Sequence, residues 1–214
     1  MDDPHKNAPV LVTGTDPNEA RAAVILLHGR GASARDILGL ASAFDRGDVA
    51  YLAPQASGNT WYPHRFLVPR AENQPHLDSA HAVVARLIRT LGEQGVPAER
   101  IILAGFSQGA CLASDHAVRN PRRYGGVLAF SGGLIGDRID TADFAGSLAG
   151  TPAFLGCADN DAHIPAERVR QTAAVMEALS AEVTLRLYPG QDHRINDDEI
   201  RAAQVILDGV VAAA

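Results

Sequence analysis

The chain has 214 residues, of which 46% are hydrophobic and 21% are charged, and this ordinary globular composition excludes a largely disordered protein. Its 19 Lys and Arg residues against 25 Asp and Glu give a net charge of −6 with no basic block, which disfavours nucleic-acid binding. The longest apolar runs, such as residues 22–27, are far shorter than the ~20 residues of a membrane-spanning helix. The first residues lack the basic start and apolar stretch of a signal peptide, so we expect a cytoplasmic protein.

Short apolar runs alternate with helical periodicity along the chain. The runs are nearly continuous in Val, Ile, Leu and Ala, as expected of strands buried on both faces of a sheet. They predict strands at residues 23–27, 49–52, 101–104, 127–130, 153–155 and 183–187. Between them, apolar spacing of three and four residues predicts helices at residues 34–44, 77–91, 108–119, 166–179 and 197–211.

The alternation of strand and helix predicts βαβ units, and therefore an α/β fold with a mainly parallel central sheet and helices on both faces. No linker rich in Pro, Gly or Ser divides the chain, so we expect one domain over residues 1–214. The longest irregular stretches, residues 53–74 and 131–151, are too short for a separate domain and are expected to be loops.

A candidate nucleophile lies in the sequence Gly105-Phe106-Ser107-Gln108-Gly109, which follows a predicted strand and opens a predicted helix. At such a turn the pattern G-x-S-x-G forces the serine outward above the sheet, and the glycines on either side relieve the crowding. Ser107 is therefore the candidate nucleophile. The alternative is an ordinary strand–helix turn with an N-capping serine.

A nucleophilic serine needs a base, and the base needs an acid that orients it. On this kind of sheet they follow in the order serine, acid, histidine, on loops after later strands. His193 comes just after the last predicted strand and is the candidate base. Asp159 and Asp161 both follow the preceding strand, and their pattern alone does not choose between them. Asp192 ranks third, because neighbours on a turn rarely point at each other well enough.

The loop after the first predicted strand reads His28-Gly29-Arg30-Gly31. Acyl transfer needs a second N–H donor for the developing oxyanion, usually from this early loop, and glycines allow close approach of the backbone. The backbone N–H of Arg30 is the candidate, partnered with the N–H of Gln108 at a helix N-terminus. His28 is expected to fix the loop by hydrogen bonding rather than to react.

Several of these segments together resemble one family. The chain resembles the phospholipase/carboxylesterase family of serine hydrolases, which includes the acyl-protein thioesterases. The resemblance extends from about residue 22 to the C-terminus, in family order. The matching segments are LHGRGA (27–32), WYP (61–63), GFSQGA (105–110), DAHIP (161–165) and YPGQDHRI (188–195).

The resemblance implies an α/β-hydrolase fold without a large cap domain, acting on esters or thioesters. It also selects Asp161 among the candidate acids, because the family's aspartate stands four residues before the proline of its D-x-x-[VI]-P motif. Where the eukaryotic thioesterases carry an apolar residue after His-Gly, this chain has Arg30, and it is similar instead to a bacterial esterase branch. Trp61 and Tyr62 are expected to form a wall of the substrate pocket.

We expect hydrolysis of small-molecule or lipid-like esters of short to medium acyl length, with no metal and no organic cofactor. The protein is expected to be a monomer or a homodimer. Lysophospholipase and acyl-thioesterase activities are alternatives. A non-catalytic binding protein with this fold is less favoured, because Ser107, Asp161 and His193 are all present. His163 is expected at the edge of the site, and most other histidines at solvated or helix-surface positions.

Overall fold

The structure is a computed structural model that describes residues 3–214. Its centre is a seven-stranded sheet with strand order β1-β3-β2-β4-β5-β6-β7. β1 pairs antiparallel with β3, and the other neighbouring strands are parallel. The strands are β1 (Val10–Gly14), β2 (Ala22–Leu27), β3 (Val49–Pro54), β4 (Ile101–Phe106), β5 (Gly126–Phe130), β6 (Pro152–Ala158) and β7 (Glu182–Tyr188).

Helices cover both faces of this sheet, and all six predicted strands are present, so the predicted architecture is confirmed. The helices are α1 (Ala34–Ile37), α2 (Gly39–Phe44), α3 (His76–Glu93), α4 (Gln108–Arg119), α5 (Ala166–Ala178) and α6 (Asp197–Ala212). The connections at residues 55–75 and 131–151 contain only 3-10 turns, at Ser57–Asn59, Arg70–Asn73 and Thr141–Asp143.

Two features differ from the sequence prediction. β1 was not predicted, because as an edge strand it is held by backbone pairing and leaves Leu11 and Val12 exposed by 38% and 52%. The predicted helix at 34–44 is two short helices that meet at Leu38. The first begins in a capping box between Ser33 and Asp36, and the second ends at Asp45 in the left-handed conformation.

The core has two apolar layers, one on each face of the sheet. Alternate residues of β2 divide between them, because successive side chains of a strand point to opposite faces. Ile25 and Leu27 pack in the layer covered by α3, α4 and α5, whereas Val24 and Leu26 pack in the layer covered by α1, α2 and α6. Because strands β2 to β7 run parallel, they all end at the same edge of the sheet, where the loops after β2, β4, β6 and β7 meet.

Among residues 3–214, no helix is both long and apolar enough to cross a membrane.

Candidate active site

Ser107 occupies the sharp turn between β4 and α4. Its φ of 54° lies in a region that L residues with side chains rarely adopt, and such strain is typical of functional turns. The turn is possible because its neighbours lack side chains. A Cβ on Gly105 would collide with the backbone of Gly109, and a Cβ on Gly109 would collide with the carbonyl of Leu27. The two glycines let α4 begin directly against the end of β2.

The structure brings Ser107, His193 and Asp161 into one hydrogen-bonded chain. His193 Nε2 lies 2.9 Å from Ser107 Oγ, and His193 Nδ1 lies 2.6 Å from Asp161 Oδ2. This is the geometry that a nucleophile, its base and an orienting acid require. The three side chains come from the loops after β4, β7 and β6, so the shared edge of the sheet is what assembles them.

Asp161 is held as an acceptor on both of its oxygens. Its Oδ1 accepts hydrogen bonds from the backbone amides of His163 at 2.8 Å and Ile164 at 3.1 Å, which leaves Oδ2 for the imidazole. The other candidate acids face elsewhere. Asp159 accepts from the amide of Gly190 and so ties the two loops together, and Asp192 pairs at the surface with an arginine.

The imidazole of His193 is packed between two rings. The ring of Phe106 is 4.9 Å from it, centroid to centroid, and the ring of His163 is also 4.9 Å from it. His163 is exposed and lines the cleft above Ser107, as expected of a residue at the edge of the site. The packing limits rotation of the His193 ring away from Ser107.

The proposed oxyanion amides, those of Arg30 and Gln108, donate no hydrogen bond to any protein group within residues 3–214. The peptide before Arg30 is held from its other side. His28 Nε2 accepts from the amide of Ala56, so its Nδ1 carries the proton and donates to the carbonyl of Gly29 at 2.8 Å. Because a trans peptide places its C=O and N–H on opposite sides, this bond fixes the direction of the Arg30 N–H.

The side chains of these two residues hold one and the same loop. The Arg30 guanidinium donates to the carbonyls of Tyr62 at 2.9 Å, Pro63 at 2.9 Å and His64 at 2.6 Å. The Gln108 amide donates to the Tyr62 carbonyl at 2.9 Å and accepts from the Trp61 amide at 2.9 Å. The loop 60–64 is therefore fixed to both sides of the proposed oxyanion site.

Of the two aromatic residues expected in the pocket wall, the structure brings only one to the cleft. Tyr62 lines the cleft, although its side chain too is almost fully buried. Trp61 is fully buried and lies outside the lining, and its indole N–H donates to the carbonyl of His28 at 3.0 Å. The expectation that Trp61 forms part of the pocket wall is thus corrected. Trp61 instead supports the loop before Arg30 through its hydrogen bond to the His28 carbonyl.

The cleft above Ser107 has a volume of about 490 Å³ and opens to the surface. Its wall also includes residues that local sequence patterns do not assign to the site, because they lie in an irregular loop or on the inner face of a helix. These residues are His64, Arg65 and Cys111, and they line the cleft together with Phe66, whose loop is expected from the sequence to contribute an apolar wall.

Both cysteines are buried. Cys111 lies one turn after Ser107 on α4, and Cys157 lies on β6. Burial raises the pKa of each thiol to about 12, so both stay protonated at neutral pH. Because a protonated thiol is a poor nucleophile, neither cysteine competes with Ser107.

A charge network lies behind the cleft and is centred on the buried Asp115 of α4. Its carboxylate lies 2.6 Å from Arg70, 3.0 Å from His81 and 3.1 Å from Arg119. Burial alone would raise the pKa of Asp115, but the His81 hydrogen bond and the two arginine charges outweigh it and hold that pKa well below its usual range. Asp115 also accepts from the amide of Ile135, so it joins both long connections to α4.

A mainly parallel sheet with a strained serine turn after a central strand, followed by aspartate and histidine loops, defines an α/β-hydrolase-like protein. Residues 8–210 match the family model described as Phospholipase/Carboxylesterase, and the chain belongs to this family. It is therefore a hydrolase of the carboxylesterase/phospholipase type.

Two further kinds of similarity agree with the family. A phospholipase/carboxylesterase structure from Dyadobacter fermentans is 40% identical with a TM-score of 0.89, covering 96% of this chain and 97% of that chain. A protein named acyl-protein thioesterase 1 from Emericella nidulans is 28% identical over 90% of this chain and 91% of its own length. Another of that name, from Gibberella zeae, is 27% identical over 56% of this chain, and the match spans about half (52%) of that relative's length.

Proposed function

We propose that this chain is a carboxylesterase that hydrolyses short-to-medium acyl esters through an acyl-enzyme formed on Ser107. The observation that carries the proposal is the hydrogen-bonded chain from Ser107 Oγ to His193, 2.9 Å, and from His193 to Asp161, 2.6 Å. In the first step His193 Nε2 takes the hydroxyl proton as Ser107 Oγ attacks the ester carbonyl carbon. Asp161 keeps the proton on Nδ1 and stabilises the imidazolium that forms.

The tetrahedral intermediate places a negative charge on the former carbonyl oxygen. The N–H groups of Arg30 and Gln108 are the proposed donors to this oxygen, and each such donor typically lowers the barrier by about 3–4 kcal/mol. Their lack of a protein partner among the described residues supports this assignment, because an occupied amide would have to break a bond first.

Collapse of the intermediate breaks the bond to the alcohol oxygen, and protonated His193 gives its proton to that leaving group. A water molecule then loses a proton to His193 and attacks the acyl carbon. The second tetrahedral intermediate releases the acid, and the proton returns to Ser107 Oγ. Every proton therefore passes through His193, which exchanges it with Ser107, the leaving alcohol or the attacking water.

The test is the initial rate on p-nitrophenyl esters from acetyl to palmitoyl, measured for the parent protein and for Ser107→Ala. We expect activity that peaks at short to medium chains, and a loss of at least about 10³-fold in kcat for Ser107→Ala. Ser114→Ala is the matched control, since Ser114 lies on the same helix and its buried hydroxyl has no partner among residues 3–214. Retention of most activity in Ser107→Ala would overturn the proposal.

A thioesterase is the second candidate, favoured by the relatives named acyl-protein thioesterase 1. The kcat/KM values for oxygen esters and matched thioesters from butyryl to palmitoyl, each corrected for alkaline hydrolysis, separate the two. A corrected preference for the thioester that grows with acyl length would replace the carboxylesterase proposal.

A further inference from the structure

The cleft above Ser107 is rich in cationic and hydrogen-bond-donating side chains. Two arginines and three histidines line it, and among residues 3–214 no Asp or Glu does. This contrasts with the chain as a whole, which carries a net charge of −6. Such a local excess of one sign in a concave site raises the local concentration of ligands of the opposite sign.

The two arginines of the cleft keep their charges. Arg30 donates to neutral carbonyls, which orient the guanidinium without neutralising it. Arg65 is exposed, and its guanidinium makes no hydrogen bond or ion pair within the described part of the chain. Arginines near by are paired instead: Arg70 and Arg119 with Asp115, and Arg194 with a surface aspartate.

A second cavity lies on the other side of the His193 ring, and it is mainly apolar. It has a volume of about 440 Å³. Of its two charged members, Arg194 is paired with an exposed aspartate, whereas Asp36 keeps its charge and accepts from the amide and hydroxyl of Ser33 in the capping box of α1. The apolar lining consists of Ala32, Ile37, Leu40, Phe106 and Ile195.

His193 thus lines both the cationic cleft, which it shares with Ser107, and the second cavity, which is called the apolar groove below. From this arrangement we infer that the preferred substrate is an ester with one anionic half, bearing a carboxylate or a phosphate, and one apolar half. Arg65 binds the anion, with His64 and His163 as further N–H donors, and the apolar groove takes the other half. The inference rests on the proposed esterase function and specifies its substrate class.

The test compares two pairs of esters. Mono-p-nitrophenyl glutarate and p-nitrophenyl valerate differ by a carboxylate in place of a methyl group on the acyl side. 4-Carboxyphenyl butyrate and its methyl ester place the charge on the leaving side. After correction for alkaline hydrolysis, we expect at least one anionic member to have a kcat/KM about 10-fold or more above its neutral partner, with the preference decreasing as NaCl is added.

The variant is Arg65→Gln, and the measured quantity is the ratio of kcat/KM for the anionic ester to that for the neutral ester. We expect this ratio to fall at least about 5-fold. Arg89→Gln is the matched control, because Arg89 is an exposed arginine on α3 outside both cavities, and it should leave the ratio unchanged. Inorganic phosphate and glutarate, tested as competitive inhibitors, distinguish the two kinds of anion.

The outcomes separate this inference from the proposed function. Hydrolysis that depends on Ser107 but shows no anion preference in either pair overturns the substrate class and leaves the esterase function standing. An anion preference that survives in Arg65→Gln also overturns the inference. A folded protein with no Ser107-dependent hydrolysis of any ester contradicts the proposed function itself.

Discussion

His28 Nδ1 donates to the carbonyl oxygen of Gly29 over 2.8 Å, and the amide on the other side of that peptide belongs to Arg30. The ring also accepts from the Ala56 amide, which requires an unprotonated Nε2. Burial lowers the pKa of His28, so the neutral tautomer that makes both bonds persists at neutral pH. His28 takes no part in the proposed reaction, but it therefore fixes the direction of the Arg30 N–H, a proposed oxyanion donor.

His28→Ala should lower kcat about 10²-fold while KM changes little, because the Arg30 N–H loses its fixed direction. The measurements are kcat and KM on p-nitrophenyl butyrate together with thermal unfolding. His5→Ala is the matched control: His5 is also a buried histidine packed on Trp61, and its Nε2 lies 2.9 Å from the Trp61 carbonyl. Both variants should lose stability, and equal losses of kcat would contradict the role given to His28.

Gly109→Ala should prevent correct folding or abolish activity, since a Cβ there collides with the backbone at the end of β2. Gly92→Ala places the same methyl group in α3 with open space around it, and should stabilise the protein by about 0.5–1 kcal/mol. Urea unfolding and soluble yield measure both. A folded, fully active Gly109→Ala protein would show that α4 can move away from β2 at little cost.

Asp115→Asn should destabilise the protein by roughly 2–4 kcal/mol at pH 7, because the buried carboxylate is lost and its partners Arg70 and Arg119 lose their counter-charge. The folded-state pKa of Asp115 is lowered, so its stabilisation is present above the ordinary carboxyl range and is lost as the pH falls through the folded value. The difference in unfolding free energy between parent and variant should therefore shrink below about pH 4. Asp208→Asn, which breaks an exposed pair with Arg46, should cost less than about 1 kcal/mol.

Glu199 should make the free energy of unfolding depend on pH with the opposite sign to Asp115. Burial raises its pKa to about 7, while its Oε2 accepts from the Asn196 amide in the capping box of α6. Between the ordinary glutamate value and pH 7 only the unfolded state ionises, so stability falls as the pH rises. Glu199→Gln keeps a carbonyl acceptor and should be more stable by roughly 1–3 kcal/mol at pH 8.

Urea unfolding at several pH values tests this expectation, and the advantage of Glu199→Gln should vanish below about pH 4.5. Glu177→Gln on α5 is the control, since Glu177 is exposed. A Glu199→Gln protein that is less stable at every pH would mean that the carboxylate stabilises the fold.

The sequence was sufficient to predict the strands of the parallel sheet and the places of Ser107 and His193, because these follow from local apolar patterns and the order of loops. The choice of Asp161 over Asp159 needed a family resemblance, because both residues follow the same strand and only the folded loop decides which carboxylate meets the imidazole. The expectation of solvated histidines was wrong for His5 and His116, which are buried.

Those two histidines make contacts over long stretches of chain, which no local pattern encodes. His5 bonds to the 57–61 segment, and His116 stacks on His81 of another helix with ring centroids 5.5 Å apart. The same holds for Asp115, whose charge is explained only by residues that the fold brings from far along the chain.

The attachment of the loop 60–64 to the side chains of Arg30 and Gln108 couples substrate selectivity to turnover, two properties that are often separable in enzymes. A substitution that reshapes the loop 60–64 to admit a new substrate also displaces Arg30 and Gln108, whose amides are the proposed oxyanion donors. Substrate selectivity and kcat should therefore change together when this loop is altered. Substitutions at Arg65 and Phe66 lie outside the hydrogen-bonded carbonyls of residues 62–64, so they can alter selectivity without displacing Arg30 or Gln108. Diversification of this scaffold toward new esters is therefore best begun at those two positions.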